Sequence, residues 1–306
     1  MTKIAFLFAG QGAQVVGMGK DLWECEKYRP YFDRLDRKAG ENITRIMLDG
    51  PSERLNQTRV SQPAILTVSF LLLQALQEKS HGDFTAGLSL GEYTALVYAG
   101  CMEFEEALEL VILRARFMQE ACDQTRSGML SVIGLQREAV EEIAHQASQK
   151  GILQVANYNS PTQFVLSGED KALDYAMELC QKAGARRLIP LKVAGAYHSP
   201  VMAPAKEKLA PYLEKAAMEA PKIPFVSNSR AIFLKTPQEI REALIEQVVA
   251  PVRWYDSMKL LISEGMGAAY EIGPGTVLKG LMRQIDRNVK VVSINHLEVL
   301  EKLKEP

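Results

Sequence analysis

The chain reads as an α/β protein, with a mostly parallel sheet covered by helices and a ferredoxin-like β-α-β-β-α-β unit inserted into it. Three observations predict this. Short apolar runs alternate with helical patterns through the first 122 residues, as in parallel sheets flanked by helices. Between Met129 and Val193 the order becomes strand, helix, strand, strand, helix, strand, which is the split ferredoxin-like unit. The third observation is compositional. The 306 residues are 47% hydrophobic and 24% charged, with 36 basic against 37 acidic side chains. That balance is ordinary for a globular protein and argues against disorder. It also leaves no basic surplus for nucleic-acid phosphates.

Ile4 to Phe8 is an apolar run ending at Gly10, a first strand and its turn. It is too short for the apolar core of a signal peptide, and no small-residue cleavage site follows; a cytoplasmic location is expected. Ser61 to Gln77 reads as a buried helix. Its longest apolar stretch, Pro63 to Leu76, is interrupted by Thr67, Ser69 and Gln74 and falls short of the roughly 20 residues that span a bilayer. Phe84 to Leu88 is a strand, Gly91 to Ala99 a helix stopped by Gly100, and Glu103 to Cys122 a helix without Gly or Pro. In the inserted unit, strands are expected at Met129–Leu135, Gln154–Asn157, Gln163–Ser167 and Arg187–Val193. Helices are expected at Arg137–Gln149 and Asp170–Ala183. The expected division is a core of residues 1–127 and 195–306 with an inserted unit at 128–194. After it come a helix to about Met218, a strand at Phe225–Ser227, a helix near Gln238–Val248 and the segment EIGPGTVLKGL from Glu271; Leu300–Pro306 is expected to fray. The four cysteines and four histidines are scattered, with no CxxC pair or HExxH motif. That gives no case for a disulfide framework or a metal site.

Gly87-Leu88-Ser89-Leu90-Gly91 is a G-x-S-x-G pattern between a strand and a helix. A serine on so tight a turn projects its hydroxyl, and larger side chains two residues either side would clash. The following helix aims its first amides at the same place, where an oxyanion would be held. On the helix from Glu103, the residues Ala107, Leu110, Val111, Met118 and Ala121 form one stripe, and Arg114 falls on it. Arg116 falls on the outer face. An inward guanidinium needs an anion. Taken alone, Arg114 reads first as half of a structural salt bridge, and second as a clamp for a substrate carboxylate. His198, in a loop beyond a strand end, is the best general-base candidate. His81, His145 and His296 are placed in a polar turn, on an exposed helix face and near the C-terminus. Ser199-Pro200 reads as a helix start, with Pro204 leaving its position open. The turn Gly10-Gln11-Gly12 is not a nucleotide loop, because Val15 and Met18 stand where Gly and Lys are needed. Its glycines are expected to let backbone approach a small ligand.

Together these segments resemble the malonyl-CoA:acyl carrier protein transacylase family of bacterial type II fatty-acid synthesis. The resemblance runs through FAGQGAQ from Phe8, GLSLGEYTALVYAG from Gly87, RARFMQ from Arg114, NYNSP from Asn157, VAGAYHSPVM from Val193, QVVAPVRW from Gln247 and EIGPGTVLKGL from Glu271. It implies an α/β-hydrolase-like core with the inserted ferredoxin-like subdomain. It implies that Ser89 is acylated, that His198 is its base, and that the Gln11 and Leu90 amides form the oxyanion hole. Arg114 would hold the free malonyl carboxylate. The Gln247 carbonyl would orient His198, so that no acidic third member is required. Asn157 and Asn159 would lie near the pantetheine channel. Met118, one turn beyond Arg114, is expected to line the same pocket, although a core position suits it nearly as well. Tyr197 stands where malonyl-using relatives often carry Phe and is expected to crowd an α-methyl group. No resident cofactor is implied: the CoA thioester is a substrate, and the carrier protein, binding transiently in trans, brings its own phosphopantetheine. Neither membrane nor nucleic acid is an expected partner, and the resemblance suggests a monomer. The sequence departs from the family in Leu88 for its usual His and Ala9 for its usual Pro. A free-standing acyltransferase for a polyketide assembly line has the same chemistry. A plain esterase or thioesterase is countered by the inward arginine, and a silent carrier-binding module by the intact Ser89, His198 and Arg114.

Overall fold

The computed structural model describes residues 2–303. Ten strands form two sheets. The first holds β1 (Lys3–Phe8), β2 (Phe84–Gly87), β7 (Phe225–Val226), β8 (Phe233–Leu234), β9 (Met266–Ile272) and β10 (Lys290–Ile294), in the spatial order β10-β9-β1-β2-β7-β8. All its pairings are parallel except the short β7–β8 hairpin. The second holds β3 (Ser127–Ile133), β4 (Leu153–Ser160), β5 (Gln163–Glu169) and β6 (Arg187–Pro190), antiparallel in the order β4-β5-β3-β6. The helices Arg137–Ala147 and Asp170–Lys182 share a core with it. This is the ferredoxin-like strand order, carried by a segment that leaves the first sheet after the Phe104–Cys122 helix.

β1 and β2 are buried over most of their length, as the runs AFLF and FTAG require of strands covered on both faces. The Thr58–Gln77 helix shares one hydrophobic core with Phe6 and Phe8 of β1. By length and composition it is the one described helix able to span a membrane, but 89% of its apolar window is buried inside the protein. It packs against the Phe104–Cys122 helix, the long helix that carries Arg114.

Several expectations need correction. The helices Lys20–Glu24, Arg29–Ala39, Ile43–Asp49 and Ser52–Leu55 fill a region left unassigned above, as do the helix Trp254–Ser263 and strands β8 and β10. The short early helices bury only one to three residues each. β3 lies two residues earlier than expected. β4 is longer because Tyr158 and Ser160 still pair with Phe164 and Gln163 and the chain turns on Pro161 and Thr162 alone; β5 is longer at its far end, where Gly168 pairs with Leu153 and Gly128 and Glu169 with Ser127. β6 is shorter than expected, Arg187–Pro190, with one further ladder bond from the Leu191 N–H to the Met129 carbonyl (2.9 Å). The Ser199-Pro200 start yields one 3-10 turn, Pro200–Met202, capped by the Ser199 hydroxyl; the α-helix begins at Ala203. The end does not fray as a whole. Leu297–Glu301 is helical with Leu300 buried, and residues 304–306 lie outside the described residues.

A seam joins the two sheets. The Val252 N–H donates to the Ala156 carbonyl (2.8 Å), and the Tyr158 N–H donates to the Val252 carbonyl (2.9 Å). The cavity described next opens along this seam.

Candidate active site

Ser89 sits between β2 and the Gly91–Tyr98 helix with φ of 53°, a left-handed conformation uncommon outside glycine. Three glycines make the turn sterically possible. A Cβ on Gly87 would lie 2.0 Å from the Gly91 carbonyl group, one on Gly91 2.3 Å from the Phe8 carbonyl, and one on Gly10 2.3 Å from the Leu88 carbonyl. Gly10 therefore serves the approach of β1 to the elbow, not the approach of a ligand as the sequence suggested. Asn228 clamps the same turn. Its Oδ1 accepts from the Ser89 N–H (2.6 Å), and its Nδ2 donates to the Gly87 carbonyl (2.6 Å).

Ser89 Oγ lies 2.6 Å from His198 Nε2. His198 also has positive φ, 55°, and is buried. Its Nδ1 lies 2.8 Å from the Gln247 carbonyl. A carbonyl only accepts, so the proton is on Nδ1, and Nε2 is the acceptor for the serine hydroxyl. Burial, aided by the Arg114 charge, pushes the imidazole down to about 4, against the opposing pull of its backbone partners Gln247 and Ala250. The ring is therefore neutral at pH 7 and able to take a proton. Two residues of the second sheet hold its loop. Gln154 Nε2 donates to the carbonyls of His198 (2.5 Å) and Val249 (2.8 Å), and Ser167 Oγ donates to the Tyr197 carbonyl (2.6 Å). The other three histidines are exposed.

Arg114 is 1% exposed. The salt bridge expected first is absent among the described residues; its partners are neutral. Nη1 donates to Gln62 Oε1 (2.7 Å), and Nη2 donates to Gln247 Oε1 (3.0 Å) and to Ser89 Oγ (3.1 Å). Nε has no acceptor among the described residues. Burial lowers the guanidinium's affinity for its proton, partly opposed by Tyr93, Glu92 and Tyr197. Arg114 is thus a buried guanidinium one hydrogen bond from Ser89 Oγ, held by neutral partners among the described residues. Arg116, by contrast, pairs with Glu120 on the surface.

The cavity over Ser89 has a volume of about 430 Å³. Gln11, Leu88, Met118, Asn157, Asn159, Tyr197 and His198 line it; Leu90, Arg114 and Gln247 stand behind its wall. Asn159 Oδ1 is buried with no partner among the described residues. Tyr197 is held by a hydrogen bond between its hydroxyl and Thr58, and burial pushes its phenol up. Neither the Gln11 nor the Leu90 amide donates to another described residue.

Four residues at the site escaped the sequence reading. Gln62 was visible as a polar residue in a nearly apolar helix, and Gln154 and Asn228 gave no local signal. Glu92 is the fourth: in the first turn of the elbow helix, 1% exposed, it accepts from the Asn228 N–H (3.1 Å) and from Gln247 Nε2. Burial pushes its carboxyl up to about 7, against the pull of Gln247, Asn228 and Arg114.

Residues 5–304 match the model of the acyl transferase domain family. The malonyl CoA-acyl carrier protein transacylase of Bacillus subtilis is 40% identical over 304 residues, 98% of this chain and 96% of that protein. The crystal structure of an acyl carrier protein S-malonyltransferase from Vibrio cholerae superposes with a TM-score of 0.94 at 37% identity, covering 99% and 100% of the two chains. A malonyl-transacylase in complex with a type II PKS acyl-carrier protein superposes at 0.93 and 36%, with the same coverage.

Proposed function

The chain belongs to the acyl transferase family, among the malonyl CoA-acyl carrier protein transacylases, and from that premise we propose how its residues divide the work. The enzyme moves the malonyl group of malonyl-CoA to the phosphopantetheine thiol of acyl carrier protein. In the first half-reaction Ser89 Oγ attacks the thioester carbonyl while its proton passes to His198 Nε2. The tetrahedral oxyanion is received by the Gln11 and Leu90 amides. The C–S bond breaks, and His198 returns the proton to the departing CoA sulfur. In the second half-reaction the carrier thiol gives its proton to His198 and attacks the malonyl-serine ester. The C–O bond breaks, and the proton returns to Ser89. The Gln247 carbonyl steadies the imidazolium in both halves, in the place an acid occupies in a Ser-His-Asp triad. Such an exchange is ping-pong.

The observation that carries this reading is Arg114, buried, without an ion pair among the described residues, and 3.1 Å from the nucleophile. A malonyl carboxylate completes it; an acetyl group leaves its charge uncompensated. Asn157 and Asn159, on the cavity wall, are assigned to the pantetheine arm, and Tyr197 and Met118 to the acyl pocket. The inserted unit, 128–194, supplies the wall facing the elbow. Location in the cytoplasm, action as a monomer and carrier docking in trans complete the proposal.

Intact-protein mass after brief exposure to malonyl-CoA tests it. A malonyl adduct on the wild type, absent from Ser89→Ala and discharged by phosphopantetheinylated carrier protein, is the expected result. Steady release of free CoA without an adduct would point to a hydrolase, and neither adduct nor release to a silent binding module. A second reading, service to a type II polyketide carrier, is favoured by one observation: the relative solved with such a carrier is about as similar as the others. Discharge of the adduct by a polyketide carrier, with none by a fatty-acid carrier, would establish it.

A further inference from the structure

Every polar group of the Gln247 side chain is committed. Nε2 donates to the Ser89 carbonyl (2.9 Å) and to the Glu92 carboxyl, and Oε1 accepts from Arg114 Nη2 (3.0 Å). The amide could in principle be turned over, but its surroundings allow one orientation: nitrogen toward two acceptors, oxygen toward a cation. The backbone carbonyl of the same residue holds His198. Gln247 thus touches the supports of base, nucleophile and guanidinium at once. Glu92 bears on it from the far side, and its other oxygen accepts from the backbone of Asn228, whose side chain clamps the elbow.

We propose that Glu92 is a positioning residue for malonyl selection: by accepting from Gln247 Nε2 it keeps Gln247 Oε1 on Arg114, and so aims the guanidinium across the nucleophile. The inference rests on the function proposed above. Glu92 forms no ion pair with Arg114 among the described residues; a neutral amide stands between them. This arrangement aims the cation without saturating it, whereas direct contact with a carboxylate would consume the fork that a substrate carboxylate needs.

The chemistry requires two acceptors at position 92. Both carboxyl oxygens face N–H donors, Asn228 N and Gln247 Nε2. Glu92→Gln keeps the volume but turns one acceptor into a donor, so an N–H must face an N–H at one of the two contacts. Gln247 then loses its anchor and Arg114 its alignment. A carboxylate that served only to hold the fold would lower every activity together, in proportion to the folded fraction.

The test is single-turnover acylation of Ser89 with malonyl-CoA and with acetyl-CoA at pH 8, where Glu92 is ionised. Rates are normalised to the fraction of sites that can be titrated. Wild type is measured first; absence of its malonyl adduct would defeat the proposed function itself. Given that adduct, Glu92→Gln is expected to lose about 10- to 100-fold in malonyl acylation per competent site, with malonyl-over-acetyl preference falling at least about 5-fold. Gln247→Leu keeps the backbone carbonyl and removes the amide. It is expected to lose preference in the same way, and it keeps the question open to experiment should Glu92→Gln fail to fold. Unchanged preference in a folded Glu92→Gln, or in Gln247→Leu, would overturn the proposal.

Discussion

The nucleophile and its base are built by different means. Ser89 stands on a turn made possible by three glycines at close backbone approaches, one just after β1, one ending β2 and one opening the helix that follows, with Asn228 and the Gln247 side chain as clamps from outside. His198 stands in a loop with no such local scaffold. Its ring is held by a carbonyl 49 residues away, and its backbone by Gln154, 44 residues upstream in the second sheet. Steric necessity shapes the elbow, and long-range hydrogen bonds shape the base. The elbow is therefore intolerant of any added atom, while the base is adjustable.

Substitutions can sharpen or break this contrast. The largest effect is expected at Gly87→Ala. Its Cβ would meet the Gly91 backbone at 2.0 Å, so the elbow must open, and Ser89 acylation should fall below detection. Near-normal activity would show that the turn has slack the geometry denies.

The second effect concerns the carboxylate buried under the elbow. Glu92 has its folded pKa raised from 4.5 to about 7. A carboxyl shifted in this direction contributes stability that is full below its unfolded pKa and lost as pH rises through the folded value. Between pH 5 and pH 8 the wild type should lose about 2–3 kcal/mol from this group, a loss Glu92→Gln does not share. Denaturant titrations at both pH values check it. The variant should gain on the wild type as pH rises, and a gap independent of pH would contradict the assignment.

On the base side, Gln154→Ala removes the hydrogen bonds to the His198 and Val249 carbonyls. Acylation should slow about 10-fold, with malonyl-over-acetyl preference unchanged, because neither bond touches Arg114 or the Gln247 side chain that holds it. A changed preference would mean the two sides are coupled through the second sheet. The smallest effect is expected at Tyr197→Ser, which widens the cavity beside His198 and should raise methylmalonyl acylation relative to malonyl by a factor of a few, less than the roughly 10-fold a single methylene can command. An unchanged ratio would remove Tyr197 from the acyl pocket.

The same contrast explains what could be read from the sequence. The elbow was visible because G-x-S-x-G encodes its own geometry, and Arg114 because a charge on the stripe of Ala107, Val111 and Met118 violates the pattern around it. The ferredoxin-like unit was legible from element order, though β6 is shorter than expected and the tight Pro161-Thr162 turn carries β4 on to Ser160. Gln154, Asn228 and Glu92 were not legible. Each is an ordinary polar residue in its own stretch and matters only for what folding brings beside it. The partner of Arg114 was misjudged for the same reason: the sequence supplied many carboxylates, and only the fold could place neutral amides from Gln62 and Gln247 against the guanidinium.

Among the described residues Arg114 has no ion pair, and the proposed function gives that place to the substrate carboxylate. The most direct measurement is single-turnover acylation of wild type and Arg114→Ala by malonyl-CoA and acetyl-CoA. Malonyl acylation should fall by about 100-fold or more in the variant, while acetyl acylation holds or rises. Equal losses for both acyl groups would contradict the claim and return Arg114 to a structural role.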